Sequence, residues 1–321
     1  MAGLITAGAI SAIWCVIALR LGPVIGLVDV PDGELKIHRR PAVPLGGFGI
    51  FAGVHIALAA DGRLDPGLLA ASGILLVAGL VDDRWSVSPW LRLVAALGVG
   101  ATTMAWSAVA SVDDTALVVT GVLLVVVTVN AVNLLDGLDG LAGSAAAVSA
   151  VGLAALATVR GLSETFALIL LGALAGFLPF NWHPARVFLG DNGAYLTGLF
   201  LAYGILESSP TDPASGLVVA ITMLGIFLID LAATILRRLR GRTPLFGGDR
   251  DHLYDQLHHR GWSVPAVVLV AILVQSAFVA LALVLEAGEV GWWSLAVSLI
   301  VTGMILAALG AGGFLQRSSA R

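Results

Sequence analysis

Residues 116–140 decide the fold class of this chain, and they read ALVVTGVLLVVVTVNAVNLLDGLDG. The first part of this stretch is uncharged and mostly apolar, and about 20 such residues form a helix that spans a bilayer. Asn130 and Asn133 lie near its end, and Asp136 and Asp139 follow directly. An acid at the centre of a transmembrane helix costs about 2.5–3.5 kcal/mol, so acids found in such segments are usually functional. The stretch predicts a transmembrane helix that leads into a functional segment.

The composition of the whole chain agrees with a membrane protein. Of the 321 residues, 58% are hydrophobic and only 12% are charged, whereas a soluble domain carries about 25% charged residues. These values exclude a water-soluble enzyme. The net charge of −4 gives no reason to expect a nucleic-acid partner, and the single cysteine, Cys15, excludes an intramolecular disulfide and a cysteine-only metal site.

The sequence predicts an all-α polytopic membrane protein with about eleven transmembrane helices in one integral-membrane domain, 1–321. A spanning helix needs about 20 mostly apolar residues, and each predicted span follows from a run of that kind. The runs lie near 2–21, 44–60, 66–81, 89–106, 116–134, 140–159, 164–180, 193–206, 215–236, 264–285 and 291–315.

The distribution of Lys and Arg predicts the orientation. With eleven spans, only Arg63 and Arg160 of the 17 Lys and Arg residues lie on the side of the N-terminus. Cytoplasmic loops carry the excess of positive charge, so we expect an outside N-terminus and a cytoplasmic C-terminus in the plasma membrane. The predicted cytoplasmic loops are 22–43, 82–89, 135–139, 181–192 and 237–263.

Polar residues gather at helix ends on the predicted cytoplasmic side. They are Asp82, Asp83, Asn130, Asn133, Asp136, Asp139, Asn181, Asp191, Asn192, Asp249, Arg250, Asp251 and His252. A plainer interpretation exists for some of them taken singly, because Asp139 can cap the helix that follows and Asp191 can belong to a turn. The arginines within 237–242 are most simply explained as topology determinants and lipid-headgroup contacts. The gathering of acids on one face favours a site reached from the cytoplasm.

The donor types in this set predict the chemistry. Carboxylates and amide oxygens with few histidines suit Mg²⁺, or Mn²⁺, and do not suit zinc. Mg²⁺ usually bridges one or two carboxylates to substrate phosphates. Arginines and a histidine within 237–262 can hold further phosphate oxygens. The set predicts a site for a diphosphate at the membrane surface.

Five motifs of the chain resemble a known family in order and on the same face. Asn130-Ala-Val-Asn-Leu-Leu-Asp-Gly-Leu-Asp-Gly resembles the signature of polyprenyl-phosphate N-acetylhexosamine-1-phosphate transferases, a WecA-like family related to MraY. The other four resemblances are Asp29-Val-Pro with His38, Pro41 and Pro44-Leu-Gly-Gly, then Gly79-Leu-Val-Asp-Asp-Arg, Phe188-Leu-Gly-Asp-Asn-Gly and Asp249-Arg-Asp-His-Leu. The resemblance covers about residues 1–315.

This resemblance implies a reaction. A UDP-sugar, usually UDP-N-acetylhexosamine, gives its sugar 1-phosphate to a membrane polyprenyl phosphate, and UMP leaves. The product is a polyprenyl-diphospho-sugar, which begins a cell-envelope glycan. Because both reactants are anions, Mg²⁺ and arginine must neutralise charge. The implied partners are the donor, the acceptor and membrane lipids, and a homodimer is compatible with the sequence.

The resemblance also implies roles for individual residues. Asp191 and Asn133 match the Mg²⁺ ligands, and Asp82 or Asp83 matches the base or orienting group for the acceptor phosphate. Two further sets of residues match the positions that form the uracil pocket and the diphosphate and sugar site. The uracil set is Gly137, Leu138, Asp139 and Phe188, and the diphosphate and sugar set is Lys36, Asn130, Asp136, Arg250 and His252.

The last cytoplasmic loop departs from the family pattern. Where the WecA-like branch reads His-x-His-His, this chain has His252, Leu253, Tyr254 and Asp255. If this stretch is helical, residues 252 and 255 share a face and residue 254 is turned away by about 200°. We therefore expect Asp255 to meet His252, or to accept sugar hydroxyls.

Three alternatives remain open at the level of the sequence. A phospho-MurNAc-pentapeptide transferase, MraY, is disfavoured because its consecutive triple histidine is absent here. A secondary transporter of an anionic solute would place polar residues near the bilayer midplane, and Asp230 alone suits it. A scaffold without activity is disfavoured because the motif acids are intact.

Overall fold

A computed structural model describes residues 1–30, 41–85, 87–106, 115–208, 218–219, 221–245, 251–288 and 292–315. Within these ranges the chain is helical, and no β-strand forms. The helices are α1 Ala2–Ile25, α2 Gly46–Ala60, α3 Pro66–Trp85, α4 Pro89–Trp106, α5 Thr115–Leu135, α6 Leu141–Val159, α7 Thr165–Asn181, α8 Gly190–Glu207, α9 Gly225–Arg240, α10 Leu253–His259, α11 Val264–Ala287 and α12 Trp292–Ala311.

The prediction of an all-α polytopic membrane protein is confirmed. Within the described ranges, six helices are long and apolar enough to cross a membrane, namely α1, α3, α5, α6, α11 and α12. Two shorter apolar helices, α2 and α7, join them. Each of the eleven predicted spans coincides with a helix in whole or in part. The number of spans and their orientation stay predictions.

Helix α8 is the most enclosed helix, although its sequence predicts the shortest span. Every residue from Asn192 to Leu206 is buried. The helix packs against α2, α3 and α5, and it also contacts α6 and α7. A helix surrounded by protein has no lipid-facing stripe, so it does not need the long apolar run of an outer helix. Its N-terminal end is thereby fixed among three neighbours.

Helices α1 and α7 cross through glycines at close range. A Cβ added at Gly172 would lie 2.1 Å from the Leu4 carbonyl oxygen, and one at Gly176 would lie 2.1 Å from the Gly8 carbonyl oxygen. Small residues at such crossings let helix backbones approach in membranes, where dispersion and not the hydrophobic effect drives association. Larger side chains at these two positions would separate the helices.

The ninth predicted span, 215–236, is interrupted. A turn occupies residues 223–224, and α9 begins only after it. The Met223 carbonyl accepts hydrogen bonds from Ser149 Oγ at 2.9 Å and from Gln275 Nε2, and the Ile226 amide donates to Gln275 Oε1 at 3.0 Å. Buried backbone groups that lack a helical partner need another one, and these two side chains supply it at the break.

The helices give the molecule two ends with different polar residues. We call the motif end the one where α3 and α5 finish and α6 and α8 begin, with Asp82, Asp83, Asn133, Asp136 and Asp191. The opposite end is the one where α3 begins and α6 and α8 finish. Its polar residues are Arg63, Asp65, Arg160, Tyr203, Glu207 and Glu286.

Candidate active site

Asp83 joins the end of α3 to the start of α8. Its Oδ1 accepts a hydrogen bond from the Asp191 amide at 2.9 Å. Its Oδ2 accepts from the side-chain Nδ2 of Asn192 at 2.6 Å, and from the Asn192 amide at 3.4 Å. A carboxylate at a helix N-terminus satisfies free amides and opposes the positive end of the helix dipole. Gly79 permits this junction, because a Cβ there would lie 2.2 Å from Asn192 Cα.

Asp82 has different partners, although it is adjacent to Asp83 in the sequence. Its Oδ2 lies 2.8 Å from Arg92 Nε and accepts a hydrogen bond from the Tyr195 hydroxyl at 2.6 Å. Its Oδ1 accepts from the Val87 amide at 2.7 Å. Asp82 is only 4% exposed. It therefore ties α4 and α8 to the end of α3 and has its charge balanced by an arginine.

The end of α5 meets the start of α8 at the same place. Asn133 Nδ2 donates a hydrogen bond to Asp191 Oδ1 at 2.7 Å, which joins the signature motif to the third motif. Asp136 follows in the loop after α5. Burial raises the pKa of Asp136 well above its ordinary value, and the negative charges of Asp191, Asp83 and Asp139 raise it further. Asp136 therefore lies within electrostatic reach of three other acids.

The donor chemistry of this cluster fits a hard divalent cation. Among the described residues, no group of three or more His, Cys, Asp and Glu side chains has a metal-binding arrangement. Mg²⁺ does not require one, because it keeps several waters and uses one or two carboxylates. The raised pKa of Asp136 reflects its burial first and then the negative charges of its acidic neighbours. Carboxylates and one amide therefore form an oxygen donor set.

Asp139 does not cap α6, so that interpretation is wrong. The N-cap position belongs to Gly140, whose amide donates to Asn181 Oδ1 at 3.0 Å. The Asp139 carboxylate instead lies 2.7 Å from His183 Nδ1 and accepts from the Ala185 amide at 3.0 Å. Asp139 thereby binds the loop between α7 and α8 to the signature loop.

Of the remaining residues expected in the donor site, Gly137 and Leu138 lie in the loop that follows α5. Leu138 is buried in the core, and Gly137 contacts Tyr254, because a Cβ at Gly137 would lie 2.1 Å from its hydroxyl oxygen. The backbone of Phe188 pairs with Val43, whose carbonyl accepts from the Phe188 amide at 2.9 Å. Lys36 and Arg250 lie outside the described residues.

A mostly apolar cavity of about 130 Å³ opens between α3, α4, α5 and α8. Its polar lining residues are Arg92, Asn130 and Tyr195, and apolar residues such as Leu75 and Val129 form the rest. Asn130 Nδ2 donates to the Val126 carbonyl of its own helix at 2.8 Å. Asn130 therefore faces this cavity, and the structure gives it no bond to Asp191 or Asp83.

The structure contradicts the expected geometry of the last loop. His252 Nδ1 lies 2.7 Å from Asp230 Oδ2, so a carboxylate of α9 that the sequence did not suggest meets the imidazole. Tyr254, which we expected to turn away, stacks on His252 with ring centroids 5.3 Å apart and planes 6° apart. The physical reason is that His252 is the N-cap of α10, with ψ near 160°, so helical spacing does not extend back to it.

The prediction that the arginines within 237–242 contact lipid headgroups is wrong for two of them. Arg237 and Arg238 are only 2% and 7% exposed, so these two are not lipid-headgroup contacts. Arg237 Nη2 lies 3.4 Å from Thr234 Oγ1, and Arg238 Nη1 donates to the Leu245 carbonyl. Arg240 and Arg242 are exposed, as a topology role requires.

Sequence reasoning missed Arg92, Tyr195 and the role of Asp230 at the motif end. Tyr195 lies one helical turn after Asp191, and that spacing could have predicted a shared face. Arg92 carries no such signal, because its contact with Asp82 depends on how the chain turns between α3 and α4. Asp230 and His252 are 22 positions apart in the sequence, which no local rule connects.

The fold and this site define a polytopic membrane protein with a cluster of carboxylate and amide groups at one end of its helices. Comparison with known proteins gives the particular class. Residues 66–209 match the family described as "Glycosyl transferase family 4". The chain is 31% identical over 311 residues to a probable undecaprenyl-phosphate N-acetylglucosaminyl 1-phosphate transferase of Bacillus subtilis, covering 89% of this chain and 84% of that protein.

Two further relatives differ in how much of the chain they match. A decaprenyl-phosphate N-acetylglucosaminephosphotransferase of Mycobacterium leprae is 28% identical over 291 residues, covering 75% of this chain and 72% of the relative. A phospho-N-acetylmuramoyl-pentapeptide-transferase of Oceanobacillus iheyensis is 36% identical, but only over 128 residues, which cover 38% of this chain and 36% of the relative. The chain therefore belongs to glycosyl transferase family 4, as its motifs indicate.

Proposed function

We propose that this protein transfers N-acetylhexosamine 1-phosphate from a UDP-sugar to a membrane polyprenyl phosphate. The near full-length relatives are named as N-acetylglucosamine-1-phosphate transferases that use undecaprenyl or decaprenyl phosphate. The observation that carries the proposal is the hydrogen bond of Asn133 to Asp191, which brings two motifs distant in sequence into one acidic cluster beside Asp83.

The reaction balances without an oxidant or a further reactant. An oxygen of the acceptor phosphate attacks the phosphorus that carries the sugar, and the bond from that phosphorus to the UMP phosphate oxygen breaks. UMP takes the electron pair of this bond and leaves, and the new bond completes the polyprenyl-diphospho-sugar. Since two anions must approach each other, the site has to supply positive charge and orientation.

Asp191 and Asn133 would hold Mg²⁺, with Mn²⁺ as a substitute. Their oxygens are hard donors, and Asp136 and Asp83 add negative charge around them. The ion would neutralise charge on the diphosphate of the donor. Asn133 now donates its amide nitrogen to Asp191, so its Oδ1 is the atom that can turn to a cation.

We assign different roles to the two neighbouring aspartates. Asp83 is held by the amides of α8 within the acidic cluster, which suits a group that orients the acceptor phosphate or takes its proton. Asp82 is buried and paired with Arg92 and Tyr195, which suits a group that positions those two side chains. The sequence leaves this choice open, and the contacts favour Asp83 as the reacting partner.

The cavity between α3, α4, α5 and α8 suits the first part of the polyprenyl chain. Its walls are mostly apolar, and the Arg92 guanidinium lies at it. An anionic lipid needs an apolar channel for its chain and a cation for its phosphate, and these features supply both. Arg92 would therefore attract the acceptor phosphate towards Asp83.

The donor would lie over the loop that follows α5. By resemblance, the uracil ring meets Gly137, Leu138, Asp139 and Phe188, and the diphosphate and sugar meet Lys36, Asp136, Arg250 and His252. The bonds of Asp139 to His183 and Ala185 would keep one wall of this pocket rigid. Since UDP-sugars are cytosolic, the motif end would face the cytoplasm of a plasma membrane, in agreement with the Lys and Arg distribution.

The test is a direct assay of lipid product. Purified full-length protein in lipid nanodiscs is incubated with undecaprenyl phosphate, Mg²⁺ and one radiolabelled donor at a time. The donors are UDP-N-acetylglucosamine, UDP-N-acetylgalactosamine and UDP-MurNAc-pentapeptide. We expect labelled lipid and an equal amount of UMP with at least one N-acetylhexosamine donor, and none with EDTA. Absence of product from every donor, beside an active relative as positive control, would contradict the proposal.

The pentapeptide donor is the second candidate, because pentapeptide transferases match a part of this chain. The absence of a triple histidine in the last loop argues against it. Transport is no longer favoured by Asp230, since this residue is bonded to His252 and to the Leu253 amide. Labelled lipid from the pentapeptide donor alone would reverse this order.

A further inference from the structure

Asp230 is a buried acid on an otherwise apolar part of α9. It is only 1% exposed, and its neighbours in sequence are Ile229 and Leu231. An acid in such surroundings needs strong partners, because an unpaired buried charge is costly. The contacts of this carboxylate therefore indicate why the chain keeps it.

Both oxygens of Asp230 serve the last loop. Oδ2 lies 2.7 Å from His252 Nδ1, and Oδ1 accepts from the Leu253 amide at 3.0 Å. One carboxylate thus holds the imidazole and also the backbone on which it is mounted. Thr234, one helical turn further along α9, places its Oγ1 3.3 Å from the same ring nitrogen.

Tyr254 holds the ring from its face. The phenol and imidazole planes differ by only 6°, with centroids 5.3 Å apart. The Tyr254 hydroxyl donates to the Leu134 carbonyl at 2.9 Å, at the end of α5. The imidazole is therefore fixed at its edge by α9 and at its face by a side chain anchored to the signature motif.

We infer that Asp230 is a positioning residue for His252 and that Tyr254 helps to hold the imidazole in the same orientation. An ionised carboxylate only accepts hydrogen bonds, so His252 Nδ1 carries a proton and a substrate contact would be made by Nε2. The contacts of Asp230 and Tyr254 with the imidazole would orient Nε2 towards the donor diphosphate. This inference rests on the proposed function, in which His252 binds the donor.

A double-mutant cycle tests whether Asp230 acts through His252. Donor kcat/KM is measured for the wild type, Asp230→Asn, His252→Gln and the double variant, with Glu286→Gln at the opposite end as a control. We expect Asp230→Asn to lower donor kcat/KM by about 10- to 100-fold in the wild type, as for other carboxylates that orient a functional histidine. In the His252→Gln background the loss should be under about threefold.

The Asp230→Asn variant should change the kinetic constants of the donor and not those of the acceptor. If His252 is no longer oriented towards the donor, donor KM should rise or kcat should fall, while acceptor KM stays within about twofold. An equal loss in both backgrounds, or an equal change in both KM values, would overturn the inference. A wild type without lipid product would instead contradict the proposed function, so the two failures are distinct.

A second measurement does not depend on activity. The six histidines are labelled with ¹⁵N, and the His252 signals are those lost in His252→Gln. We expect a proton on Nδ1 of His252 in the wild type, and loss of that Nδ1–H signal in Asp230→Asn. Neutral His252 with its proton only on Nε2 in the wild type would overturn the inference even if the variants were inactive.

Tyr254 gives a graded version of the same test. Tyr254→Phe keeps a ring on His252 and removes the bond to Leu134, whereas Tyr254→Leu removes both. If each contact contributes about 0.5–1.5 kcal/mol, we expect donor kcat/KM to fall by about 2- to 12-fold in Tyr254→Phe and by a larger factor, about fivefold or more, in Tyr254→Leu. A larger loss for Tyr254→Phe than for Tyr254→Leu would contradict the role of stacking.

Discussion

Arg160 and Glu286 form a two-point ion pair at the opposite end, with nitrogen to oxygen distances of 2.8 and 2.7 Å. At the motif end, the charged neighbours of Asp136 include Asp191 and Asp83, and those of Asp191 are Asp82 and Arg92. Charges that serve only the fold are neutralised within the protein, because unpaired charge near a membrane is costly. Acids gathered beside one another, as at the motif end, are the feature on which the proposed cation and phosphate site rests.

The largest effect on turnover should come from Asp191, at the start of helix α8, and Glu207 at the end of the same helix is the control. Asp191→Ala should lower turnover by about 10³-fold or more, because loss of a metal ligand removes several kcal/mol of transition-state stabilisation. Glu207→Ala, at the other end of the same helix, should leave turnover within about twofold. Lipid product formation and thermal melting are measured for both. Turnover of Asp191→Ala within tenfold of the wild type would remove this residue from the metal site.

The next effect separates two adjacent residues at the motif end. Asp83→Asn should lower turnover by about 10²-fold or more, which is the range for a group that moves or orients a proton. Asp82→Asn should mainly lower the melting temperature, because it weakens the contacts with Arg92 and Tyr195. The assay compares kcat and Tm of the two variants. Normal turnover in both would make the paired-aspartate role wrong.

A smaller effect is expected at Gly137. A Cβ there would lie 2.1 Å from the Tyr254 hydroxyl oxygen, so Gly137→Ala must displace the tyrosine that stacks on His252. Overpacking of this kind costs about 1–3 kcal/mol, and we expect turnover to fall by about tenfold. Gly73→Ala is the matched control, since a Cβ at Gly73 meets no atom within 4 Å. Equal activity of the two variants would contradict the contact.

The smallest effect on activity belongs to the opposite end. Glu286→Gln removes one charge from the pair with Arg160, and hydrogen bonds to charged groups contribute about 1.5–3 kcal/mol. We expect a lower melting temperature and donor kinetics within about twofold of the wild type. A tenfold change in donor KM would mean that the two ends are coupled, and the comparison between them would fail.

The helices and the acidic motifs could be predicted from the sequence because their signals are local. Apolar runs of spanning length predict helices α1 to α8 to within a few residues, and the motif acids lie at their ends. The broken ninth span could not be predicted, because the turn at 223–224 depends on Gln275 from a later helix. The partner of His252 was missed for the same reason, since Asp230 meets it only through tertiary packing.

The helix break before α9 has a consequence for how the chain is assembled. Ser149 precedes the break and can bind the Met223 carbonyl at once, but Gln275 follows Ile226 by 49 residues. At about 5–20 residues per second, synthesis of that interval takes about 2–10 s. During this time the Ile226 amide lacks its final partner, and exposure of such a group to lipid is unfavourable. The Ile226 amide can therefore reach its final partner only once the helix that carries Gln275 has been made.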